Sequence, residues 1–226
     1  MPSTTWYTGF VQILLATTNK GKIEELRLIL GEHGLEVSGL TGAMSTEEIE
    51  TGSTFEENAL LKARHYHSLT GCPVIADDSG LEVDALGGAP GLYSARYAGP
   101  GATDSDRIIK LLDEMKNVTA ERRTARFVCA AALVWAEGER VFVAEARGLI
   151  TEAPRGQGGF GYDPVFYYPP LGHTFAELSS EEKSATSHRG LAFHRLAGWL
   201  KRSGLLDTTG LSGKINNPTS GTSASS

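Results

Sequence analysis

Apolar residues recur along the chain with two spacings, and the switches between them mark out the elements. VQILLAT (11–17) is a near-continuous apolar run and predicts a buried strand. The polar turn TNKGK follows. Ile23, Leu26 and Leu30 then share one helical face, and LEVSGL (35–40) predicts a second short strand. TGAMSTEEIETG (41–52) is polar and predicts a loop. STFEENALLKARHYHSL (53–69) predicts a strong helix with a buried stripe of Phe55, Ala59, Ala63 and Tyr66. Ser53 and Glu56 have capping-box spacing, and Gly71 and Pro73 supply the stop.

PVIA then reads as a strand that ends on Asp77 and Asp78, and GLEVDAL as a further strand. A Gly/Pro-rich stretch, GGAPGLYSARYAGPGAT, is expected to be a loop. Residues 103–116 predict a helix with Ile108, Leu111, Leu112 and Met115 inward. ARFVCAAALVWAEGERVFVAEARGLIT reads as two long strands joined at Glu137-Gly138, a hairpin. RGQGGFGYDPVF combines a glycine-rich loop with another strand. The last helical stretch, about 179–202, carries an irregularity near Ser187 to Gly190. Strands that alternate with helices, plus one antiparallel hairpin, predict a three-layer α/β fold with a mixed sheet. The hairpin would extend the sheet into a second lobe, leaving a central cleft as the natural ligand site.

Composition narrows this picture. The chain has 226 residues, a net charge of -6 and only two cysteines. Acidity disfavours non-specific nucleic-acid binding, which needs a basic footprint, but leaves room for a small anionic ligand beside local lysines. Cys72 and Cys129 have no metal spacing, and Cys129 is expected to be a buried thiol. No run of about 18 apolar residues predicts a membrane span, and MPSTTWYTGF lacks the marks of a signal peptide. A cytoplasmic protein is therefore expected. Residues 1–10 read as an N-terminal extension and 11–202 as one domain. Residues 203–226 read as a disordered tail: from Thr208 onward, 12 of 19 residues are Ser, Thr or Gly.

Several polar groups sit where chemistry is possible. Asp77 and Asp78 could hold a divalent cation beside phosphates, or could cap a solvated strand end. Strand alternation would send their side chains opposite ways, so that one acid faces a ligand. Thr17, Thr18, Asn19, Lys20, Gly21 and Lys22 lie between a strand and a helix, where hydroxyls, backbone N–H groups and a lysine can meet a phosphate. The same residues would serve as a plain N-cap turn. Glu47, Glu48 and Glu50 offer a second metal ligand or a solvated acidic run. Lys62, among apolar neighbours, can snorkel to water or reach a phosphate.

The loop QGGFGYDP (157–164) places Phe160 in a glycine-rich frame suited to stacking on a base, with Gly161, Tyr162 and Asp163 beside it. Lys183, His188 and Arg189 are clustered donors that one straight helix would not bring to one face. A cap at Ser187 would restart the helix and present His188 and Arg189 at its start.

Five segments occur in order: T-x-N-x-x-K, F-E-E-N-A-x-x-K-A, A-D-D-S-G-L-x-V-D-A-L-x-G-x-P-G-x-Y-S-A-R, G-G-F-G-Y-D-P and E-K-x-x-x-S-H-R-G. Across residues 11–202 the chain resembles the inosine triphosphate pyrophosphatase family, which acts on non-standard purine nucleoside triphosphates. Thr18 departs from the pattern, since many relatives carry Gly there. The resemblance implies an elongated α/β homodimer that uses Mg²⁺ to convert ITP, dITP or XTP to the monophosphate and pyrophosphate. It implies that Asp78 is metal ligand and proton acceptor, with Glu50 the best match for the second ligand and Ser79 touching substrate. Thr17 to Lys22 would bind the triphosphate. Phe160 to Asp163, Lys183, His188 and Arg189 would form the base pocket. Asp77 is left to support the turn or the outer metal shell.

Overall fold

A computed structural model describes residues 13–40 and 49–205. The expected N-terminal extension, Glu47 and Glu48, and all of the tail beyond Leu205 lie outside the described residues. The elements are β1 (Ile13–Leu15), α1 (Lys20–Glu32), β2 (Val37–Gly39), α2 (Phe55–Thr70), β3 (Val74–Val83), α3 (Asp104–Glu114), β4 (Thr124–Trp135), β5 (Gly138–Ile150), β6 (Phe166–Tyr168), β7 (His173–Thr174), α4 (Ser180–Thr186) and α5 (His188–Ser203). A short 3-10 segment spans Gly91–Arg96. The sheet runs β2-β1-β3-β4-β5-β6-β7. β1 is parallel to β2 and β3, and the other pairings are antiparallel. The expected three-layer mixed α/β sheet is what forms. Among the described residues, no helix is long and apolar enough to cross a membrane.

Strand alternation sorts the core. Val74 and Ala76 of β3, with Ala130 and Ala132 of β4, face α2 and pack on Phe55, Ala59, Ala63 and Tyr66. Ile75, Cys129, Ala131 and Leu133 face the other way, against Leu26, Ile29 and Leu30 of α1 and Phe193, Leu196 and Leu200 of α5. Each large apolar side chain buried this way contributes about 1.5–3 kcal/mol. The small residues of β4 let helices approach both faces. Cys129 is indeed buried, and burial pushes its thiol up to about 12. Farther along the same strands a second lobe forms. There Leu81, Val83 and Phe127 pack with Ile108, Leu111 and Met115 around α3, and with Phe166 and Phe175.

Two local expectations shift. α2 is capped one residue later than its spacing suggests. Thr54 is the N-cap and accepts from Glu57 N at 3.1 Å, while Ser53 donates from N and Oγ to Glu57 Oε2 at 2.7 and 2.8 Å. Burial of Phe55 as the first helical residue sets that register. The larger change concerns the acidic pair: PVIA and GLEV are one strand, and Asp77 and Asp78 lie in its middle. β4 supplies ladder partners from Val134, opposite Val74, through to Ala125, opposite Val83. What ends at the acids is the other neighbour, since β1 pairs with β3 only as far as Ile75, where Ala16 N donates to Ile75 O at 2.8 Å. The sheet therefore opens on one side at Asp77, and the cleft occupies the opening.

The remaining boundaries follow the pattern. Gly71, with φ 68°, ends α2, and Thr103 caps α3 in a capping box. The hairpin turn alone shifts, by one residue: Trp135 pairs with Gly138, so the two turn residues are Ala136 and Glu137, not Glu137 and Gly138. Ser187 breaks the last helix and caps α5 by accepting from Gly190 N at 3.1 Å.

Candidate active site

Residues at the carboxyl end of β1 line the near wall of the cleft. Thr17 and Asn19 organise the turn: Asn19 N donates to Thr17 Oγ1 at 3.2 Å, and Asn19 Oδ1 caps α1 by accepting from Lys22 N at 3.1 Å. The N-cap role does not remove these groups from the cleft, since Thr17, Thr18, Asn19 and Lys22 all line it. Lys20 does not. It borders a separate surface groove beside Arg27. Gly21 lies under the Phe160 ring, where an added Cβ would stand 2.7 Å from a ring carbon.

The floor is β3, and its two acids diverge as alternation requires. Asp77 points toward α1 and α5, meeting Lys22 Nζ at 2.9 Å and Arg189 Nε at 3.4 Å. Burial pushes its carboxyl up, but Lys22, Arg189 and Lys62 outweigh that and hold it well below the usual carboxylate range. No turn exists here for Asp77 to support. It joins Lys22 at one end of the cleft to Arg189 at the other instead. Asp78 points toward α2 and lines the cleft. Its Oδ2 accepts from Asn58 Nδ2 at 3.0 Å, its Oδ1 accepts from Ser79 N at 3.0 Å, and Lys62 Nζ stands 3.7 Å away. Burial and then the Glu50 charge raise its pKa, against the opposing pull of Lys62. The strand can run this close to the Gly91–Arg96 segment because residue 80 is glycine: a Cβ there would sit 2.4 Å from Gly91 O.

Glu50 stands across Lys62 from Asp78, with Lys62 Nζ donating to Glu50 Oε1 at 2.7 Å. One ammonium is thus shared by two carboxylates. Although burial disfavours its charge, Asp78, Glu50 and Asp77 hold the Lys62 ammonium charged. Two carboxylates on either side of a point charge form a donor set that a hard divalent cation can use. Among the described residues no three His, Cys, Asp or Glu gather into a full cage. That donor set suits a cation that keeps waters and takes phosphate oxygens to complete its shell.

The far end of the cleft is aromatic and cationic. Phe160 has the Lys183 ammonium 4.8 Å and the Arg189 guanidinium 5.4 Å from its ring centre. Asp163 accepts from Phe160 N at 2.8 Å and Lys183 Nζ at 2.6 Å, fixing the loop. His188 is buried, its ring stacked on Phe127 at 4.5 Å and 7°. Burial, then Arg189 and Lys183, hold it well below the usual histidine range, so the imidazole is neutral. Its Nδ1 is buried with no partner among the described residues. The break at Ser187 brings His188 and Arg189 into the cleft, whereas Lys183 lies behind Phe160 in an adjoining cavity of about 300 Å³. The main cleft measures about 380 Å³, within the ordinary range for a small-molecule site.

Glu25, Asn58, Asp104, Arg107 and Phe127 belong to the site although no motif role singled them out. Glu25 accepts from Lys183 Nζ at 2.5 Å and Arg189 Nη1 at 2.7 Å, locking both donors. Asn58 could have been found, because it and Lys62 interrupt the apolar stripe of α2 at positions that must be buried. Glu25, Asp104 and Phe127 left no such mark, since their partners are distant in sequence.

A family model described as the Ham1 family matches residues 13–199. The dITP/XTP pyrophosphatase of Shigella flexneri is 51% identical over 193 residues, covering 84% of this chain and 98% of that protein. The dITP/XTP pyrophosphatase of Yersinia pseudotuberculosis is 54% identical over 188 residues, covering 80% and 93%. Among solved structures, the Staphylococcus aureus Ham1 protein superposes with a TM-score of 0.75 at 43% identity, over 85% of this chain and 99% of that one. The Coxiella burnetii HAM1 protein gives 0.73 at 41%, over 85% and 100%.

Proposed function

We propose, from the premise that the chain belongs to the Ham1 family, that it is a hydrolase converting non-standard purine nucleoside triphosphates, ITP, dITP and XTP, to the monophosphate and pyrophosphate. The observation that supports this best is one cleft with two chemistries. Asp78, Glu50, Lys62 and Lys22 stand at one end, and Phe160, His188 and Arg189 at the other.

In this reading Asp78 and Glu50 would hold Mg²⁺, which would supply charge neutralisation to the phosphate oxygens. Asp78, held in place by Asn58, accepts a proton from the water that attacks the α-phosphorus. The bond from the α-phosphorus to the bridging oxygen breaks, and pyrophosphate leaves. Lys22 and Lys62 provide positive charge along the phosphates. Thr17, Thr18, Asn19 and Ser79 add polar contacts.

At the other end Phe160 stacks on the base. A neutral His188 and the Arg189 guanidinium present donors to a 6-keto oxygen. Adenine carries an amino group there, which would leave those buried donors unpaired and penalise ATP. Lys183 acts with the base pocket through Asp163 and the Phe160 ring. A homodimer is part of the same reading, carried by the resemblance, and a cytoplasmic location is carried by the sequence pattern alone. Release of pyrophosphate from ITP, XTP, dITP, GTP and ATP, with and without Mg²⁺, tests the whole. Preference for the 6-keto substrates over ATP is expected, and equal kcat/KM on ATP and ITP would sink it.

A further inference from the structure

Five cationic side chains line the cleft, and four of them are held tightly. Lys22 meets Asp77 at 2.9 Å, Lys62 meets Glu50 at 2.7 Å, Arg107 donates to the carbonyls of Ala95 and Ala102 at 2.8 Å, and Arg189 meets Glu25 at 2.7 Å. The fifth is Arg96. Its one ion pair among the described residues is a loose one, Nη1 to Glu50 Oε2 at 3.8 Å, and it donates no hydrogen bond there. Its side chain is 42% exposed, at the mouth of the cleft.

Arg96 is nonetheless positioned. It ends the 3-10 segment Gly91–Arg96, and its guanidinium lies 5.0 Å from the centre of the Tyr93 ring. That segment is anchored on three sides. Ser94 Oγ accepts from Leu81 N at 2.9 Å, Tyr162 Oη donates to Ser94 O at 3.0 Å, and Arg107 holds Ala95 O. A rigid backbone therefore carries a fork of unused donors to the acidic end of the cleft.

We propose that Arg96 is a further substrate-binding residue, one that donates its guanidinium fork to non-bridging phosphate oxygens of the polyphosphate chain. The inference rests on the reading of the cleft as a nucleoside triphosphate site. Within that reading the logic is one of unspent charge. Glu50 already serves Lys62 and is the carboxylate assigned to the cation. Once engaged there, it leaves Arg96 with no anion but the substrate. A planar fork matches phosphate geometry, and an arginine whose one ion pair is loose has little to break before it binds.

The test compares wild type, Arg96→Gln and Arg96→Lys for ITP turnover and for inhibition by inorganic pyrophosphate and by inosine, with melting temperature as control. For Arg96→Gln, the ITP KM and the pyrophosphate inhibition constant are expected to rise roughly tenfold or more. Inhibition by inosine, which has no phosphate, and the melting temperature should stay at wild-type values. Arg96→Lys, which keeps the charge but not the fork, should recover part of the loss. The proposal is overturned if Arg96→Gln binds pyrophosphate and ITP within twofold of wild type, or if inosine inhibition weakens equally. Failure of the wild type itself to hydrolyse ITP would instead defeat the broader reading.

Discussion

Asn58 Nδ2 donates to Asp78 Oδ2 at 3.0 Å, across the packed interface between α2 and β3. The two residues are twenty positions apart, and both are buried. Ser79 N donates to the other carboxylate oxygen, so the acid is held from both sides. A carboxylate fixed in this way has little freedom left to lose on binding a ligand.

Asp78→Asn removes the carboxylate and keeps the shape. Its kcat on ITP is expected to fall at least about 100-fold, with circular dichroism and melting temperature near wild type. Asn58→Ala leaves Asp78 in place but loosens it, and should cost roughly tenfold in kcat. Near-normal turnover by Asp78→Asn in a pyrophosphate-release assay would remove Asp78 from its role.

His188 links the site to pH. Burial keeps its folded-state pKa below the value of about 6.5 that it has when unfolded. The unfolded chain then binds more protons than the folded one below that pH. Stability from this group is full above about pH 6.5 and is lost as pH falls toward the folded pKa, at up to about 1.4 kcal/mol per pH unit. Urea unfolding of metal-free protein from pH 8 to 5 should show a steeper decline for wild type than for His188→Gln. Parallel curves would contradict a neutral, buried imidazole.

Asp104 tethers the glycine-rich loop: its Oδ2 accepts from Gly161 N at 2.7 Å, and Arg107 pairs with its other oxygen. Asp104→Ala frees the loop that carries Phe160. Stacking on a base contributes about 1–3 kcal/mol, so ITP affinity should fall by roughly tenfold if the ring loses its place. Inhibition by pyrophosphate should not change. A loss of pyrophosphate binding equal to that of ITP would show that the tether serves the whole cleft rather than the base end.

Much of this site could be read from short-range pattern. The capping turn Thr17 to Lys22, the opposed directions of Asp77 and Asp78, and the helix restart at Ser187 all follow from local geometry. The same local logic failed where a partner strand intervened. Asp77 and Asp78 look like a strand end because acids rarely sit mid-strand, yet β4 pairs with them throughout. The capping register of α2 moved by one residue because the burial of Phe55, a tertiary event, chose where the helix begins.

By itself the sequence determined the alternation of strand and helix, the hairpin and the polar residues available for chemistry, because each depends on neighbours within a few positions. Only the tertiary structure decided their pairings. It put Asn58 on Asp78, Glu25 on Lys183 and Arg189, Phe127 against His188, and left Arg96 with only a loose pair to Glu50. Periodicity cannot carry that information. Such contacts join residues tens of positions apart, and they exist only after the sheet has set which face of each element meets which.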